Sequence, residues 1–218
     1  MESSGVAGHP ESYFNRKTLD RYANTWGIER PSDGGIDHTF VEAAVAAGRT
    51  ANGVFGGRIM GESWPELLEG LTADAAERAL TEPQLLEAAF GRLKFVHLRR
   101  DDAVAQAVSW AKSLQTHFWH PGEDQEPGGQ EPSYDPELIG RLVDTIETFE
   151  AAWTGWFSRH GIDCHEVTYE QLAADPIGTA HGVLDYLELA VPRDRLRIEH
   201  RRQAEETNAD WISRFRSS

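Results

Sequence analysis

Two adjacent arginines, Arg99 and Arg100, close the apolar run LKFVHL and stand directly before a helical pattern. Guanidinium groups at the carboxyl end of a buried strand, beside the free amides of a helix N-terminus, build an anion site in α/β proteins. Ser109 lies on the following helix, beside its apolar face, and offers a hydroxyl to the same anion. An arginine fork with one neutral donor suits phosphate. An ion pair with Asp101 or Asp102, contributing little to stability, suits the same arginines. Taken alone, the pair fits both readings.

The elements that must position these groups can be read from periodicity and punctuation. A strand is predicted over Leu93–Leu98, and a helix over Asp102–Phe118 with Asp101 as its N-cap and Val104, Ala107, Val108, Ala111, Leu114 and Phe118 facing the core. A helix from Pro136 to His160, stopped by Gly161, carries Leu138, Leu142, Ile146, Phe149, Trp153 and Trp156 at helical spacing. A strand over Cys164–Thr168, a helix from Ile177 to Leu187 and a short final helix over Asn208–Phe215 complete the second half. Earlier, GVAGHPESYFN reads as an ordered loop packed by Tyr13 and Phe14, followed by helices over Arg16–Trp26 and Asp37–Ala47. GVFGGRIM, residues 53–60, reads as a buried strand approached closely by another backbone or a ligand, and residues 65–90 as short helices broken at Gly70 and Pro83. Strands alternating with helices predict an α/β layer fold with a mostly parallel sheet.

Composition bounds the partners. The 218 residues and 39% apolar content suit a single domain, 1–218, with PGEDQEPGGQEP, residues 121–132, as a mobile loop. The net charge of −15 argues against nucleic acid and anionic membrane as partners, so an anionic ligand needs a local basic pocket. One cysteine, Cys164, excludes an intrachain disulfide and a cysteine-rich zinc site and fits the cytoplasm. The histidines show no metal-ligand spacing, and no window has the length of a membrane span.

RRDDAVAQAVSWAKSLQTHFW resembles the signature of the bacterial carbohydrate sulfotransferase family typified by trehalose 2-sulfotransferase. GVAGHPESYF, GVFGGRIM, YEQLAADPIGTAHGVLDYLEL and HRRQAEETNADWISRF resemble further segments of that family, in order, so the likeness spans Gly5 to Phe215. The resemblance implies a three-layer, P-loop-like α/β fold and 3′-phosphoadenosine 5′-phosphosulfate as donor, with no metal. It implies a sugar or glycolipid hydroxyl as acceptor, and a homodimer. On its implication Arg100 and Ser109 bind the donor's 3′-phosphate, with Arg99, and Arg202 and Gln203 close over it. Gln115, Thr116, His117 and Trp119, mixed donors and an aromatic face at the end of the signature helix, suit sugar binding, with Trp119 equally suited to packing, while Trp153 and Trp156 are assigned to packing.

For the proton acceptor the family has a glutamate after GxxGxP. Glu11 directly follows Pro10, whereas an ungapped comparison sets Ser12 at that position. Glu11 and His9 are therefore both candidates, the imidazole because its ordinary pKa suits base work near neutrality. Arg58 stands where the family often has a lysine and is read either as a cation for the leaving group or as a structural ion pair.

The resemblance also implies an N-terminal strand and glycine-serine phosphate loop, whereas Met1–Gly5 matches only the last turn of the helix that follows such a loop. The expectation is a chain begun at an internal methionine, lacking that strand and poorly soluble or inactive alone. A non-catalytic remnant keeping the 3′-phosphate or sugar site is the alternative function.

Overall fold

The computed structural model describes residues 2–74, 79–116, 131–192, 195–197 and 206–217. Its contacts divide the chain into two compact units. The first takes in Met1–Val96, Asp163–His165 and Ile177–Arg197, and the second His97–Ile162, Glu166–Pro176 and Ile198–Ser218.

The first unit is built around aromatic rings. Helices α1 (Leu19–Trp26), α2 (His38–Ala47), α3 (Trp64–Asp74) and α4 (Glu82–Phe90) surround Phe14 and Phe40, both almost wholly buried. Phe14 meets Phe90 edge to face at 5.7 Å, Phe90 stacks on Phe55 at 5.7 Å, and Trp26 meets Phe40 at 5.2 Å. Offset and edge contacts of this kind contribute about 1 kcal/mol each beyond burial. Asp37 caps α2 by accepting the Phe40 amide, and Tyr13 and Phe14 pin the preceding loop into the core as expected.

Three local expectations are corrected here. Residues 53–60 are not a strand. They make isolated bridges, Arg49 with Phe55 and Glu11 with Gly57, and Gly57, Arg58 and Met60 are exposed. The close backbone approach does occur: a Cβ on Gly8, whose φ is +74°, would lie 2.0 Å from the Gly56 nitrogen. Gly70 does not break a helix but sits within α3, because a Cβ there would lie 2.2 Å from the Ile36 carbonyl oxygen. Pro83 likewise opens α4, where its missing N–H costs nothing.

The second unit contains all but the first residue of β1 (Val96–Arg99) and of β2 (His165–Thr168), which pair in a small parallel sheet. It also contains α5 (Ala103–Thr116), α6 (Pro136–His160), α7 (Tyr169–Ala174) and α9 (Glu206–Ser217); α8 (Pro176–Tyr186) lies from Ile177 onward in the first unit. Two strands are therefore described where three were expected. Ala107, Val108 and Ala111 of α5 pack with Ile139, Leu142 and Ile146 of α6 and Trp211 of α9 in one cluster. α6 keeps the predicted bounds because both ends are punctuated: Asp135 accepts the Leu138 amide, Pro136 opens the first turn, and Gly161 closes the last at φ 61°. The loop expected at 121–132 lies, but for its last two residues, outside the described residues.

The N-cap of α5 is Asp102, not Asp101. Its Oδ1 accepts the Ala105 amide at 3.0 Å and the Arg216 guanidinium of α9 at 2.8 Å. Partial burial opposes ionisation of this carboxyl. The Ala105 amide, Arg216 and Arg100 outweigh that burial and hold its pKa below the ordinary 3.8.

Two expectations follow. Gly8→Ala forces a side chain into a left-handed backbone against Gly56, so urea unfolding should show a loss of more than about 1 kcal/mol. A depressed folded-state pKa stabilises above the unfolded value and is lost as pH falls through it. Asp102→Asn should thus be less stable than the parent near neutrality. The gap should narrow below about pH 4 in a series of thermal midpoints.

Candidate active site

Arg99 and Arg100 leave β1 on different errands. Arg99 pairs with Asp101 Oδ1 at 2.5 Å and approaches Glu166 Oε2 at 3.8 Å, which is the ion-pair reading of the sequence. Arg100 instead lines an open cleft of ≈ 780 Å³ within the second unit. Its guanidinium lies 4.4 Å from the centroid of the Tyr169 ring at the start of α7, a cation–π contact. Its Nε is buried without a hydrogen bond, and the nearest carboxylate oxygen, Glu170 Oε1, stands 3.8 Å away.

The local sequence explains how Tyr169 and Glu170 come to face Arg100. Thr168 ends β2 and caps α7, accepting the Gln171 amide at 3.1 Å while its own amide donates to Gln171 Oε1 at 3.0 Å. That reciprocal cap turns the chain sharply at the strand end, and the first two residues of α7 project beside β1, its parallel neighbour. Glu170 Oε2 accepts the Asp101 amide at 3.1 Å.

Arg216 from α9 also lines the cleft, held by Asp102, and half of its side chain is exposed. Sequence reasoning missed Arg216, Tyr169 and Glu170. Their signal was the cap pattern TYEQ for the last two, whereas nothing local in the chain ties Arg216 to residues 114 positions earlier. Ser109 lies half-buried on α5 and is not part of the cleft lining.

The acceptor candidates divide as well. Both polar ends of the Gln115 amide are spent on the backbone of Ser133, at 3.0 Å and 2.7 Å, and Thr116 donates to the Lys112 carbonyl at 2.9 Å. His117, Trp119, Arg202 and Gln203 lie outside the described residues.

Within the first unit, the segment from His9 to Ser12 runs beside residues 56–58. The His9 amide donates to the Gly48 carbonyl at 2.9 Å, and the Arg58 amide donates to the Glu11 carbonyl at 2.9 Å. Arg58 Nε donates to Ser12 Oγ at 2.9 Å. Arg58 thus reaches Ser12, the position that ungapped comparison matches to the family glutamate. The carboxylate of Glu11 and the imidazole of His9 are exposed on the same loop. A carboxylate, an imidazole, a hydroxyl and a guanidinium on a glycine-tightened loop can accept a proton and stabilise a developing negative charge.

Two comparisons bear on what these arrangements do. The chain is 28% identical to a trehalose 2-sulfotransferase of Mycobacterium tuberculosis over 230 residues, covering 100% of this chain and 82% of the relative. A trehalose 2-sulfotransferase of Mycolicibacterium smegmatis is 23% identical over 248 residues, covering 99% of this chain and 87% of the relative. A family model described as Stf0 sulphotransferase matches residues 1–218. An arginine cleft after the first strand of a parallel pair and a match that runs the whole length agree, and the chain belongs to the Stf0 sulphotransferase family.

Proposed function

We propose that this sulfotransferase moves a sulfuryl group from 3′-phosphoadenosine 5′-phosphosulfate to a carbohydrate hydroxyl, with Arg100 gripping the donor's 3′-phosphate. The observation that carries the reading is the Arg100 side chain itself, with a buried Nε that makes no hydrogen bond and a guanidinium set over the Tyr169 ring at an open cleft. A guanidinium with donor capacity to spare is ready for a phosphate. The name carried by both relatives makes trehalose the first acceptor to assay.

In the transfer the acceptor oxygen forms its bond to sulfur as the bond from sulfur to the donor's 5′-phosphate oxygen breaks. The bisphosphate departs with the electron pair, and the acceptor's proton goes to a base. Such transfers are governed by positioning and charge stabilisation. We assign the base to Glu11, whose carboxylate is exposed and whose backbone is clamped by Arg58. Arg58 is assigned to neutralise charge on the departing phosphate. Arg202 and Gln203 keep the 3′-phosphate role that the family likeness implies, and His117 and Trp119 the acceptor role that an imidazole and an aromatic face suit.

Calorimetry should find that Arg100→Ala binds adenosine 3′,5′-bisphosphate about 10- to 100-fold more weakly, the worth of a charged hydrogen bond, with adenosine 5′-monophosphate unaffected. An equal loss for both nucleotides would remove the 3′-phosphate from Arg100. In sulfuryl-transfer assays Glu11→Gln should lower kcat by about 100-fold or more while His9→Asn keeps it within a few-fold. The reverse order would move the base to His9. Binding of the bisphosphate by a wild-type chain that transfers nothing would make it a binding module instead.

A further inference from the structure

The cleft around Arg100 is lined by two arginines but four carboxylates, those of Asp101, Asp102, Glu147 and Glu170. For a site that takes a multiply charged anion this balance has the wrong sign, unless one of the acids yields when the ligand arrives. Asp102 is committed elsewhere, to the Ala105 amide and Arg216, and Asp101 to Arg99. Glu170 is arranged differently. One of its oxygens faces Arg100 at 3.8 Å, outside hydrogen-bond range, and the other accepts the Asp101 amide at 3.1 Å, just before α5 begins. A backbone amide ahead of a helix and a guanidinium beside it are the donors that a phosphate would use.

We infer that Glu170 is an internal stand-in for the anionic ligand. It satisfies the Asp101 amide and balances Arg100, and it is displaced when a phosphate binds. The inference rests on the assignment of Arg100 to the donor's 3′-phosphate. A partly exposed pair at 3.8 Å has little strength, so the displacement is cheap for a phosphate and suppresses weaker, singly charged anions. Glu170 therefore sets a selectivity threshold at this one position: its negative charge lowers affinity for an anion placed against Arg100, and only a group bringing more charge and more acceptors than a carboxylate overcomes it. The contact of Arg100 with the Tyr169 ring does not involve Glu170, so it is kept as the carboxylate leaves.

The test compares the full chain with Glu170→Gln and Glu170→Ala by titration calorimetry against adenosine 3′,5′-bisphosphate, with adenosine 5′-monophosphate as control. Glutamine keeps an acceptor for the Asp101 amide and removes only the charge. Glu170→Gln should bind the bisphosphate about fivefold tighter, the equivalent of a modest ion pair released, with no change for the monophosphate. Glu170→Ala should move in the same direction, and a thermal midpoint for each variant shows that it is folded. Unchanged or weaker bisphosphate binding by Glu170→Gln, with Arg100→Ala still impaired, would make Glu170 an orienting partner of Arg100 and overturn the inference alone. If Arg100→Ala binds the bisphosphate like the parent, the donor-site reading falls and this inference with it.

Discussion

The packing of α5 against α6 governs what the second unit can present. The inner face of α5 is made of small side chains, Ala107, Val108 and Ala111, and these are fully buried against Ile139, Leu142 and Ile146. Small residues at a helix contact bring the two axes together, and extra bulk there would have to be absorbed by strained rotamers or a backbone shift. With α5 fixed, the chain leading into it is fixed too, and that chain carries Arg100, Asp101 and Asp102. The same cluster takes in Trp211, which anchors α9 and lets Arg216 reach back to the first turn of α5. Two cations from distant parts of the chain thus reach one cleft because one alanine-rich face holds both supports.

Charge is the second constraint. In a chain of net charge −15 a cation exposed beside acids does not stay unpaired. Arg99 and Arg216 have each taken a carboxylate at short range, while Arg100 is held chiefly by the ring of Tyr169 and has only a distant carboxylate for company. A guanidinium over an aromatic face leaves the N–H groups at its own edge free, whereas a bidentate ion pair consumes them. Of these three, the arginine over a ring is the one without a carboxylate at short range. Adjacency in the sequence hides how differently Arg99 and Arg100 are employed.

Much of the second unit was legible because its signals are local. The bounds of α6 follow from Asp135, Pro136 and Gly161, each acting on its own turn, and α5 follows from its 3.6-residue apolar repeat. The error of one residue at its cap arose because Asp101 and Asp102 are chemically alike, and only the neighbouring Glu170 and Arg216 decide which of them turns inward. The misread strand at residues 53–60 has a different cause. Its apolar run with paired glycines signals close approach, and close approach was taken for sheet pairing. The approaching backbone is the loop at Gly8 and not a strand. The partners that complete each half of the chemistry are separated in sequence, Ser12 from Arg58 and Asp101 from Glu170, and residue types alone carry no record of such meetings.

The paired hydrogen bonds between the Gln115 side chain and the Ser133 backbone have a consequence for how α5 and α6 are set against each other. They fasten the last turn of α5 to the chain just ahead of α6, which fixes two points of the chain against each other. The register of α5 against α6 is thus set by these anchors and by the contacts between the helices. The amide of one glutamine adds a polar tie to the apolar contact that holds α5 against α6.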